Sequence, residues 1–98
     1  MDRERILTTV AQAKAVQDVG FLGQFTVPTS PSDAAKRLGI PANLAHHHAQ
    51  RHLEQGLLRE AGRENGKVLY QLTAKLFKVP RGILPAGDPD NKTARTLG

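Results

Sequence analysis

Residues 30–73 constrain this chain more than any other stretch. They open on Ser30-Pro31-Ser32-Asp33. Ser30 can accept from a free backbone N–H, Pro31 fits the first helical position, and Asp33 lies at the positive end of the helix dipole. The predicted helix runs through Leu38 and stops at Gly39, a residue tolerant of positive φ. Pro41 restarts a second helix, which runs to about Gln55 and stops at Gly56. Strand-like stretches follow over 57–61 and 68–72. Between them lies Gly62-Arg63-Glu64-Asn65-Gly66, in which Asn-Gly is a strong hairpin-turn pair.

Two helices that cross at a tight turn need a small residue at the crossing, a flexible turn residue and an apolar inner face on the second helix. Ala35 and Gly39 meet the first two demands, and Leu38 and Ile40 supply apolar contacts around the turn. Leu44, Ala45, Ala49 and Leu53 are the predicted inner face, while Asn43, His46, His47 and Gln50 form one polar stripe opposite. Helix, turn, helix, hairpin is the order of a winged helix-turn-helix. That arrangement presents its second helix to the DNA major groove and its wing to the adjacent backbone. The expected class is therefore α+β, mainly α with a small β-hairpin.

Ninety-eight residues allow one small domain. The 39% hydrophobic fraction is rich in alanine and only 4% of residues are aromatic, a lean core that predicts a dimer to supply further burial. No apolar run is long enough to span a membrane. The charged start, Asp2-Arg3-Glu4-Arg5, is unlike a secretion signal, so the expected location is the cytoplasm. Zero cysteines exclude disulfides, thiolate metal sites and thiol catalysis. A net charge of +5 favours a polyanionic partner, although the same charge also serves plain solubility.

Ile6, Leu7, Val10, Ala13 and Val16 recur at helical spacing, which predicts a first helix over 2–16 and makes it the expected dimerisation element. A second, short helix is expected within 18–25, capped by Asp18, with Val19, Phe21, Leu22 and Phe25 on its apolar side. The alternative is one helix over 3–25 kinked at Gly20. Residues 27–29 read as an extended link, and 73–79 as a last helical turn or two. Together 1–79 form the expected domain. Beyond it, Pro80, Gly82, Pro85, Gly87 and Pro89 predict an extended or disordered tail over 80–98.

The polar stripe suits base reading. Asn and Gln can bond adenine in two places, and imidazole can donate to or accept from groove edges. Arg51, Arg59, Arg63 and Lys67 are placed for phosphates, which position a protein without specifying sequence. Ser32 and Asn65 complete the expected DNA-binding set. Arg63 and Lys67 are equally well read as a solvated hairpin end, and Asn43 as a tie for the helix start. Tyr70 reads as a core residue of the wing.

Within about residues 18–77 the chain resembles the winged helix-turn-helix of ArsR-type bacterial and archaeal transcriptional regulators. The residues that carry the resemblance are Asp33-Ala34-Ala35-Lys36-Arg37-Leu38-Gly39-Ile40, His46-His47-His48, Leu53-Glu54-Gln55-Gly56-Leu57-Leu58 and Tyr70-Gln71-Leu72-Thr73. It implies a homodimer on a two-fold symmetric operator, with His46, His47 and nearby polar residues in the groove. Metal-sensing members carry cysteines on the recognition helix, and this chain has none. The C-terminal helix that pairs subunits in many members would be interrupted here by Pro80, Gly82 and Pro85.

His48 and His52 lie one helical turn apart, the spacing of a two-imidazole metal site. Two further ligands are needed; Glu60, Asp33 or a second subunit's side chains could contribute, and no acidic residue lies obviously beside the pair. Packing accounts for the pair better: His48 at the helix's inner edge, His52 on the Ala45-Ala49 side with backbone or water satisfying its nitrogens. No metal or cofactor is expected. Histidines near phosphates also offer a pH response, with tighter binding at acid pH. No Gly-rich phosphate loop or Ser-His-Asp arrangement points to an enzyme. The expected function is a DNA-binding transcriptional regulator acting as a repressor. The rivals are a winged-helix protein-interaction module and a non-specific architectural DNA binder.

Overall fold

The computed structural model describes residues 2–80, 82 and 94–96. The chain is α+β, and its described elements run β1 (Asp2–Ile6), α1 (Val10–Ala15), α2 (Val19–Leu22), a 3-10 turn (Gly23–Phe25), α3 (Pro31–Leu38), α4 (Ala42–Glu54), β2 (Leu58–Glu64), β3 (Lys67–Leu72), β4 (Ala74–Lys78) and β5 (Ala94–Thr96).

The centre of the chain follows its local signals. Ser30 is extended (φ −82°, ψ 150°) and its hydroxyl accepts from the Asp33 N–H at 3.2 Å while donating to Asp33 Oδ2 at 2.8 Å. Two polar groups of the first turn are thereby satisfied at once. Gly39 ends α3 at φ 68°, and the Ile40 N–H returns to the Ala35 carbonyl at 3.1 Å. A Cβ in that left-handed region would cost about 1–2 kcal/mol. α4 starts at Ala42 behind Pro41, with no side-chain cap, so Asn43 does not tie down its start. Ala34 and Ala35 of α3 and Ala45 and Ala49 of α4 are buried, small residues that let the two axes approach.

The hairpin is longer and tighter than its sequence suggests. β2 continues to Glu64 and only Asn65 and Gly66 form the turn, at φ 51° and 76°. Two positive φ values in a two-residue loop match the strand twist. Gly62, expected in the loop, instead sits at φ 137° beside a bulge between Glu60 and Gly62, where the register shifts by one residue and pairing then continues to Glu64 and Lys67. β3 gains a further partner in the link: Thr29 and Tyr70 exchange backbone hydrogen bonds of 3.0 and 2.8 Å.

The two ends of the chain depart from expectation. The helix over 2–16 is a strand, β1, followed by the short α1. Thr9 is the reason. Its hydroxyl accepts from the Gln12 N–H at 3.0 Å, and Gln12 Oε1 accepts from the Thr9 and Thr8 N–H groups, a capping box that starts the helix only at Val10. No continuous N-terminal helix is therefore present to pair subunits. Within 73–79, expected to be helical, Ala74–Lys78 is instead the strand β4; Ala74, Phe77 and the following Val79 are buried and Lys75 and Lys78 exposed. β1 lies parallel to β4, with Asp2 opposite Ala74 and Ile6 opposite Lys78. Of the expected tail, 94–96 is strand β5, antiparallel to β4, so the sheet order is β1-β4-β5. Residues 81, 83–93, 97 and 98 lie outside the described residues.

Val16, Leu22, Phe25, Leu57, Leu58, Leu72, Phe77 and Val79 are fully buried, so the core joins the segment over 16–25 to β2, β3 and β4. Side chains from β1, α1 and the β3–β4 junction also close the C-terminal end of α4. Gln12 Nε2 donates to the Gln55 carbonyl at 3.0 Å, while Arg5 Nη1 and Thr73 Oγ1 donate to the Gly56 carbonyl at 2.9 and 2.8 Å. Carbonyls at a helix end have no partner inside the helix, so these three side chains complete it.

Candidate nucleic-acid interface

α4 divides into two faces. Ala45, Ala49 and His52 are buried, and Asn43, His46, His47, Gln50 and Arg51 are exposed on the other side. The helical repeat puts those five within reach of one surface. Leu44 does not join the inner face as expected: it is 40% exposed, because residues 45, 49 and 52 already fill the strip that meets the rest of the protein.

His52 holds the rotation of α4. It is 4% exposed and its Nε2 lies 2.9 Å from Asp18 Oδ2. A carboxylate only accepts, so Nε2 carries the hydrogen. Asp18 makes no capping bond at α2. Instead the His52 hydrogen bond, against the effect of burial and with help from the charges of His52 and His48, holds its carboxyl below the ordinary range. His52 Nε2 thus finds its partner in the side chain of Asp18, the residue before α2, and not in the backbone. Its Nδ1 is buried without a partner. His48 packs on the Phe21 ring at a centroid distance of 5.5 Å. Among the described residues, no three His, Cys, Asp or Glu side chains converge as a metal site.

The hairpin tip carries Arg63 and Asn65, both exposed. Lys67, at the start of β3, lies 3.7 Å from Asp33 Oδ1, and both side chains are about half exposed. The Ser30 hydroxyl first, then Lys67, Lys36 and Arg37, keep the Asp33 carboxyl below its usual range. That carboxylate is a negative charge within a cationic surface. Solvent screens a pair this exposed, so Lys67 can exchange it for another anion.

Ser32, His46 and Lys67 meet in a cleft of about 300 Å3 between the start of α3, α4 and the hairpin turn, lined also by Ser30, Pro31 and Tyr70. Tyr70 is buried, as its core role requires. The expected DNA-binding residues thus fall in three groups: the α4 surface, the Ser32-His46-Lys67 cleft and the hairpin tip. Asp18 and Arg5 were not legible as participants, since each works through a partner distant in sequence.

No protein-family model matches the chain, and none of the curated proteins does.

Proposed function

We propose that this chain is a winged helix-turn-helix transcriptional regulator that binds double-stranded DNA, with α4 in the major groove and the β2–β3 hairpin on the flanking backbone. The observation that carries this reading is the outer face of α4. Five side chains able to hydrogen-bond, Asn43, His46, His47, Gln50 and Arg51, are exposed there on a helix whose opposite side buries Ala45, Ala49 and His52. Such a helix is rotationally fixed, which base reading requires. The net charge of +5 and the cations Arg63 and Lys67 beside it supply the non-specific attraction.

The ArsR-type resemblance adds a two-fold operator bound by two copies, and repression by occupying it. A winged-helix protein-interaction module remains the rival, and salt separates the two. A mobility shift on genomic fragments should weaken steeply as salt rises. Absence of any complex at low salt overturns the DNA reading. Within a complex, His47→Ala should lose about 1–3 kcal/mol of discrimination between sequences. Arg63→Ala should weaken binding to all sequences alike and lower the log-salt slope by about 1.

A further inference from the structure

We infer that Leu44 reads the 5-methyl group of a thymine, so that the preferred DNA site carries thymine at a fixed position facing the start of α4. This rests on the DNA-binding reading above and adds a base chemistry that its polar residues cannot supply.

Leu44 is the third residue of α4, whose first is Ala42. The leading residues of a recognition helix are the ones that reach base edges. It is 40% exposed and the one large hydrophobic exposed on that helix. Its helical neighbours are polar: Asn43 precedes it, and His47 and Arg51 lie one and two turns on along the same side, all exposed. His46 instead leans toward the hairpin, sharing the cleft with Lys67 and Gly66. The exposed side of α4 therefore has two flanks of different chemistry. One faces the hairpin and carries His46 and Gln50 beyond the small Ala42. The other couples an apolar side chain at its start to a guanidinium about 10 Å further along the axis.

Only thymine presents an apolar group in the major groove, and leucine is matched to it by contact alone. Arg51, two turns on, is placed to take a phosphate while Leu44 sits on the base. Cytosine, which lacks the methyl, gives Leu44 nothing to cover. Adenine and guanine would set polar edges against it. The selectivity is thus for the methyl itself.

The test removes that methyl and nothing else. A preferred duplex is selected from a random pool at fixed salt, and each thymine is then replaced in turn by deoxyuridine. At one position per bound copy the wild-type protein should bind about fourfold more weakly, the effect of one buried methyl-sized group. Leu44→Ala should bind the thymine and deoxyuridine duplexes equally there, while keeping the preferences that depend on His47. A fold check by circular dichroism should match wild type, since the side chain is substantially solvent-exposed.

If no thymine-to-deoxyuridine exchange weakens the wild-type protein, or if Leu44→Ala retains the discrimination, Leu44 does not read a methyl although DNA binding stands. If the pool yields no enriched sequence and binding is absent at low salt, the DNA reading falls and this inference with it. If Leu44→Ala changes only the oligomeric state, the leucine serves contact between copies and the inference is overturned.

Discussion

The β2–β3 hairpin and the β1–β4 pair are held by different physics. The hairpin joins neighbouring segments through a two-residue turn, its register fixed by Asn65 and Gly66. The β1–β4 pair joins the chain's first described residues to a strand beyond the hairpin, and it is parallel, so no turn can specify it. Its register comes from what surrounds it: Phe77 and Val79 in the core on one side, and Arg5 and Thr73 on the Gly56 carbonyl at the end of α4. The hairpin is thus a local device that carries candidate contacts to a ligand. The parallel pair is a closure between segments far apart in sequence. Loop-closure entropy puts such contacts late.

Four substitutions probe that difference. Phe77→Ala empties a fully buried site on β4 and should cost about 3–5 kcal/mol, enough to unfold a small domain at moderate temperature; urea denaturation reads it. Gly66→Ala puts a Cβ at φ 76° in the turn and should cost about 1–2 kcal/mol. On the proposed DNA reading, its effect on affinity should exceed what that loss of stability explains, because the hairpin is displaced while the core remains. A Gly66→Ala protein with wild-type affinity would separate the hairpin from binding.

Arg5→Ala removes one of two donors to the Gly56 carbonyl and should cost about 0.5–1.5 kcal/mol, with faster amide exchange at the end of α4 and none in the hairpin. The smallest effect concerns Asp18. Its carboxyl is depressed in the folded chain, chiefly by the His52 hydrogen bond. Its contribution is therefore present above its ordinary value of 3.8 and lost as pH falls through the depressed folded value. Because 38% of the Asp18 side chain is exposed, solvent screening keeps this under about 1 kcal/mol. Asp18→Asn should flatten the stability profile below about pH 4 without displacing α4.

What was legible in the residues follows the same division. Ser30, Pro31 and Gly39 fix α3 through bonds made within a few positions, and each was readable. Asn65-Gly66 was readable as a turn, though the five-residue loop shrank once Gly62 served as a bulge. Ile6, Leu7 and Val10 imitate helical spacing because a strand and the helix after it happen to place apolar residues three or four apart. The Thr9–Gln12 capping box was present in the sequence and marks the true boundary. The partnership of Asp18 with His52 left no local trace. On α4 the exposed stripe was legible, while the outward position of Leu44 was not, because helical periodicity does not say how wide a strip its neighbours cover.

The open edge of β1 also bears on how the protein behaves at high concentration. All five residues of β1 are exposed, and among the described residues the strand ends its sheet. Asp2 and Glu4 share one side, Arg3 and Arg5 the other. When two copies of such a strand meet antiparallel with their ladders matched, opposing residues have the same parity, so arginine meets arginine or carboxylate meets carboxylate. Every such register is repulsive. The edge that would otherwise seed a growing stack of chains carries, in its first five residues, a guard against fibril formation.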